Sequence, residues 1–138
     1  MNREKGFTLV EIIVVMTIMG ILTATGVVSY RQSLMDTRDQ KRIINLQNIR
    51  SSLELFRSQN VNNVYPVALS EIESAGFVIP SDPLSGLANT YTYSPQPIEV
   101  GETCNNTTYY CRTYVLTTNL ERLGTSYAVG PNSEVIHP

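Results

Sequence analysis

The sequence predicts an α+β protein in which one long N-terminal α-helix packs its second half on a small C-terminal antiparallel sheet. The first half of that helix is apolar enough to span a membrane. Three observations lead there. No charged residue occurs from Ile12 to Val28, inside an apolar stretch that runs from Phe7 to Tyr30. Helical patterning then continues for about thirty residues, uninterrupted by proline until Pro66. From Pro66 onward lie all seven prolines, together with short Tyr, Thr and Val runs separated by turn residues.

The elements follow in order. Residues 1–6 form a short polar leader with Arg3 and Lys5 against Glu4. Residues 7–30 are the membrane half of the helix: 24 residues exceed the ~20 that a bilayer requires at 1.5 Å per residue. The basic leader is expected to stay cytoplasmic, sending the C-terminal part across the membrane. Residues 31–60 are the amphipathic half. Leu46, Ile49, Leu53 and Phe56 recur at helical spacing, with Ile43 and Leu34 extending the same face. Asp36, Arg38, Asp39, Lys41, Arg42, Arg50, Glu54 and Arg57 are expected to decorate the rest. Gly20 and Gly26 lie inside the helix, where each costs ~1 kcal/mol relative to Ala and either permits close helix contact or marks local unwinding.

Residues 61–138 form the small sheet domain. The Asn60–Pro66 segment breaks the helix through its Asn cluster and the X-Pro bond. Ala68 to Ser74 reads as a short helix capped by Gly76, and Asp82-Pro83 as a turn. Strands are expected at Tyr91–Tyr93, Tyr109–Thr117 and Ser126–Val129. Turns at Pro95-Gln96-Pro97, Asn105-Asn106 and Leu123-Gly124 separate them.

Composition excludes several classes of function. With 138 residues there is room for one ordinary domain and not for a multi-domain enzyme. Ten basic against twelve acidic residues, net −2, is no general nucleic-acid coat. No Gly-rich phosphate loop, nucleophile elbow or carboxylate–histidine pair of catalytic spacing occurs. His137 is solitary and nearly terminal, which reads as a disordered tail residue. Cys104 and Cys111 with one distant histidine do not make a zinc site. Behind a membrane segment the pair reads as a disulfide across a hairpin centred on Asn105–Thr108, with two unrelated buried thiols as the alternative. Asn105-Asn106-Thr107 and Asn106-Thr107-Thr108 match glycosylation sequons, though a polar hairpin tip explains the same residues.

Glu11 is the anomaly. It sits in the apolar segment, where a charge costs on the order of 3 kcal/mol. A conventional secretory signal, cleaved near Ala24-Thr25-Gly26, or a plain single-pass anchor leaves it unexplained. The run Lys5-Gly6, Phe7-Thr8-Leu9-Val10-Glu11 and the following apolar stretch resemble the type IV pilin and type II secretion pseudopilin superfamily. The run Leu-Ser-Glu-Ile, then Gly-Phe-Val-Ile-Pro and Asp-Pro, also resembles the loop after the long helix in those proteins.

That resemblance implies a pilin-like fold and a structural, non-catalytic subunit. It implies a prepilin peptidase that cuts after Gly6 and methylates the new amine of Phe7, leaving a mature net charge of −3. It further implies self-assembly into a helical filament, driven by an assembly ATPase and an inner-membrane platform. The precursor would cross the inner membrane once, and the product would be an extracytoplasmic or cell-surface filament. After the cut, the amine of Phe7 is the one cation within reach of Glu11 inside the apolar segment. Pairing of Glu11 with that amine, on the same or a neighbouring subunit, would set axial register as a single buried polar residue does in coiled coils.

Two departures matter. Many members carry a proline near positions 27–30, and Val27-Val28-Ser29-Tyr30 has none. Secretion pseudopilins often bind calcium through C-terminal carboxylates. Here Glu99, Glu102, Glu121 and Glu134 are scattered, so the expectation is no cofactor, which favours a pilus over a secretion pseudopilus. A mature charge of −3 gives DNA binding no support. The alternative from another class is a monomeric, membrane-tethered extracytoplasmic binding module.

Overall fold

The computed structural model describes residues 6–84, 91–97, 102–122, 124–131 and, for the backbone, 135–136. Two α-helices are followed by four strands: α1 (Leu9–Gln59), α2 (Leu69–Ser74), β1 (Tyr91–Gln96), β2 (Thr113–Asn119), β3 (Ser126–Val129) and β4 (Val135–Ile136). The chain divides into two compact units, Met1–Met35 and Asp36–Pro138, each of which carries part of α1.

In the first unit, α1 begins at Leu9 rather than Phe7 because Thr8 caps it. The Glu11 N–H donates to Thr8 Oγ1 at 3.3 Å. Thr8-Leu9-Val10-Glu11 has the spacing of a capping box, which satisfies helix donors that otherwise face nothing. The helix passes Gly20 and Gly26 without a break, and both glycines face open space. Its surface is apolar and exposed, from Phe7 at 80% to Tyr30 at 65%. The helix is long and apolar enough to cross a membrane.

In the second unit, Leu46, Ile49 and Leu53 are fully buried. They join Tyr65, Ile72, Tyr91, Tyr114, Leu116, Val129 and both cysteines in one core. Each large side chain so buried contributes roughly 1.5–3 kcal/mol. Phe56 packs on the edge of that core, whereas Leu34, expected on the same face, is 40% exposed.

The charges of α1 do not decorate its outer surface as expected. Asp39 and Arg42 are buried, Lys41 is exposed, and Asp36, Arg38, Arg50, Glu54 and Arg57 are half-buried. The reason is that their partners lie on the sheet side. Arg42 meets Asp39, Asp82 and Glu121 at 2.6–3.0 Å, and Glu54 accepts the hydroxyls of Tyr65 and Tyr114.

The helix stops at Asn60, whose side chain takes the Asn62 N–H, and Asn63 turns the chain with φ 50°. A Schellman motif ends α2: Gly76, at φ 91°, donates to Glu73 and Phe77 to Ile72, each at 3.0 Å.

The sheet is antiparallel in the order β1-β2-β3-β4. β3 matches its expected bounds. β1 runs through Pro95 and Gln96, where a turn was expected. Pro95 is tolerated there because β1 is the first strand of the sheet order, with β2 its one strand partner among the described residues. β4 was not anticipated, since two residues are too few for a sequence pattern. β2 starts at Thr113, four residues later than expected, because the backbone groups of Tyr109 and Cys111 are engaged by Asn105, Asn106 and Tyr65, while the Arg112 N–H already reaches the Gln96 carbonyl of β1 at 3.1 Å. Asn105 Oδ1 accepts the N–H groups of Thr107, Thr108 and Tyr109. Asn106 Oδ1 accepts that of Cys111, whose carbonyl takes the Tyr65 N–H. At the next turn Gly124 has φ 61°, and Leu123 lies outside the described residues.

Candidate processing and assembly site

Gly6, Phe7 and Thr8 precede α1 as exposed, non-helical backbone. The Gly6–Phe7 bond therefore carries no helical hydrogen bond that a peptidase would have to break. Leader residues 1–5, including Arg3 and Lys5, lie outside the described residues. Glu11 is exposed at the third helical position, where a carboxylate is favoured by the positive end of the helix. The Thr8 hydroxyl caps the Glu11 backbone N–H, and the Thr-x-x-Glu spacing is the sequence signal of that cap.

Cys104 and Cys111 are joined in a disulfide with Cα atoms 5.1 Å apart, and Cys111 is fully buried. The loop they close is anchored to the segment after α1 by Asn106, whose amide donates to the Tyr65 carbonyl at 2.7 Å. Both amide atoms of Asn106 are thus engaged, which accounts for this residue as a structural hairpin element. The bond closes just ahead of β2 and does not lie within it.

The residues that the sequence reading did not assemble form a buried ion cluster. Arg42 donates to Asp82 from Nε at 2.6 Å and Nη2 at 3.2 Å, and to Asp39 from Nη1 at 3.0 Å. Arg38 makes a two-pronged contact with Glu121 at 2.7–3.1 Å. Asp39 also accepts the backbone N–H groups of Glu121 and Arg122, at 2.8 and 3.0 Å. One helical turn thereby holds both the Asp82 loop and the β2–β3 turn.

Burial opposes ionisation of Asp39, yet the two N–H groups and Arg42 outweigh it and hold its carboxyl below the usual range. Hydrogen bonds from Arg38, against some desolvation, lower Glu121 likewise. The Asp82 carboxylate raises Arg42 further above its ordinary value. Burial raises Tyr93 and Tyr114, with Glu54 adding to the effect on Tyr114. Asp39 and Arg42 at i, i+3 were legible as a pair; Asp82 and Glu121 are remote in sequence and were not. Among the described residues, no three His, Cys, Asp or Glu side chains come together as a metal site. Glu99, Glu134 and His137 lie outside the described residues.

Residues 1–27 match the family described as the prokaryotic N-terminal methylation motif. This is the type IV pilin and pseudopilin signature. The pilin-type signature covers the leader, Gly6, Phe7, Glu11 and most of the apolar segment. A comparison with curated proteins finds no match. The signature supports a pilin-like or pseudopilin precursor, and the apolar helix suits membrane anchoring. Such proteins are usually structural and non-enzymatic.

Proposed function

We propose that the chain is a prepilin, cut after Gly6, N-methylated on Phe7 and assembled into a type IV pilus-like filament. The observation that carries this reading is the exposed apolar surface of residues 7–30 with a single charge, Glu11, near its start. In the membrane lipid covers that surface, and in a filament the same surface of other copies replaces lipid. Copies repeated head to tail along an axis form an open helix. Residues 36–138 then coat the outside.

The partners this requires are a prepilin peptidase, an assembly ATPase and an inner-membrane platform, with no cofactor. The precursor crosses the inner membrane once, and the mature subunit ends in an extracytoplasmic filament. In this reading the place of Glu11 at the positive end of the helix serves the precursor. Its register role appears after the cut, when the Phe7 amine becomes its partner.

Substitution Glu11→Val separates this from a simple anchor. Insertion should be unimpaired, because removing a charge favours the bilayer, while sheared filaments should fall at least tenfold. Wild-type filament yield from Glu11→Val cells would remove the register role.

A further inference from the structure

The two overlapping sequons in the disulfide loop, Asn105-Asn106-Thr107 and Asn106-Thr107-Thr108, are not equivalent in the fold. Asn106 is half-buried and its amide is engaged at both ends. Nδ2 donates to the Tyr65 carbonyl at 2.7 Å, and Oδ1 accepts the Cys111 N–H at 2.9 Å. A sugar on that nitrogen would have to enter the contact between the loop and Tyr65.

Asn105 is exposed, and the fold uses only its oxygen. Oδ1 accepts the N–H groups of Thr107, Thr108 and Tyr109 at 3.0, 2.8 and 3.1 Å, and the Thr107 hydroxyl at 3.0 Å. Donors converging on one amide atom identify it as the oxygen. That oxygen faces the loop, so Nδ2 is turned to the other side, where among the described residues no protein group accepts from it. An aspartate would hold this turn equally well, since every bond is accepted and none is donated. The nitrogen of Asn105 is therefore a group that the fold leaves over, exposed and two residues before a threonine.

We propose that Asn105 is an N-glycosylation site, taking an oligosaccharide from a polyprenyl-diphosphate donor on the extracytoplasmic side. Nδ2 forms a bond to the anomeric carbon of the sugar, and the bond from that carbon to the diphosphate oxygen breaks. The polyprenyl diphosphate leaves with the electron pair, and one Nδ2 proton passes to solvent. The product keeps its amide oxygen, so all the bonds accepted by Asn105 survive the modification. The proposal rests on the membrane orientation proposed above, with residues 36–138 outside the cytoplasm.

The test takes the full chain from the cells that naturally produce it and maps the peptide between Glu102 and Glu121 by mass, after blocking free thiols. Wild type should carry a glycan on Asn105, with Asn106 unmodified. Asn105→Asp should lose the added mass and still form the disulfide. Thr107→Ala destroys the first sequon alone and should lose the glycan, whereas Thr107→Ser should retain it. Thr108→Ala destroys the second sequon alone and should also retain it. A glycan that survives Thr107→Ala and disappears in Thr108→Ala sits on Asn106 and overturns the assignment. An unmodified wild-type peptide with Cys104 and Cys111 oxidised overturns the glycosylation alone, since the bond marks the oxidising side of the membrane. An unmodified peptide with both thiols free overturns the orientation and the glycosylation with it.

Discussion

Within one helix, residues 9–30 and residues 36–59 solve opposite problems. The first stretch exposes its apolar side chains and carries one charge, Glu11. The second buries three leucine and isoleucine side chains and places most of its charges toward its own domain. Asp39, Arg42, Asp82 and Glu121 satisfy one another internally, whereas among the described residues of unit Met1–Met35 nothing covers Phe7, Leu9 or Met19. The lesson is that one half of the helix stabilises a fold and the other is left for an environment outside the chain. Substitutions should therefore divide cleanly. Those in the second half should change melting, and those in the first should change assembly.

The largest stability effect should come from Arg42→Ala. It leaves three carboxylates, two of them buried, without their shared cation, which costs about 3 kcal/mol. Denaturant unfolding of dispersed subunits measures it. A loss below about 1 kcal/mol, the range of surface pairs, would mean that the cluster is solvated and decorative.

Next in size is the disulfide. Replacing Cys104 and Cys111 with Ser should destabilise by about 2 kcal/mol, a modest effect because the closed loop is short. A double variant that melts with wild type would show that the Asn105 and Asn106 hydrogen bonds hold the loop unaided.

The smallest effect should be acid sensitivity. Asp39 and Glu121 have carboxyls held below their ordinary values in the folded state. Their contribution is full above the unfolded carboxyl range, near pH 4, and fades as pH falls through the lower native values. Melting temperature should be flat from pH 7 to 5 and decline below 4. Arg42→Ala should flatten that decline. A melting temperature that rises on acidification would contradict the pairing of these groups.

Much of this division was legible beforehand. The charge-free run Ile12–Val28 fixes the membrane half, and Leu46, Ile49 and Leu53 mark the buried face, because each is a local pattern with a helical period. The outer boundaries of the strands were less legible. β1 crosses Pro95 because tertiary position at the first strand overrides a local breaker. β2 begins late because Asn105 and Asn106 capture donors that a strand would have used. The direction of the helix charges has no signal in the sequence because Asp82 and Glu121 stand 40 and 79 residues from Arg42, beyond any periodic pattern. At the candidate processing site Gly6, Phe7 and Glu11 are readable as a motif, while the cap made by Thr8 shows only in the structure.

The central claim is that the first half of α1 is kept, uncovered and chemically altered at its start, for assembly with other copies. The mass of the N-terminal peptide of the mature chain tests it most directly. The mature chain should give a peptide that begins at Phe7 and is one methyl group heavier than the sequence, and Gly6→Leu should leave an unprocessed precursor. A peptide that begins at Met1, or at Val27 after removal of the apolar segment, would contradict it.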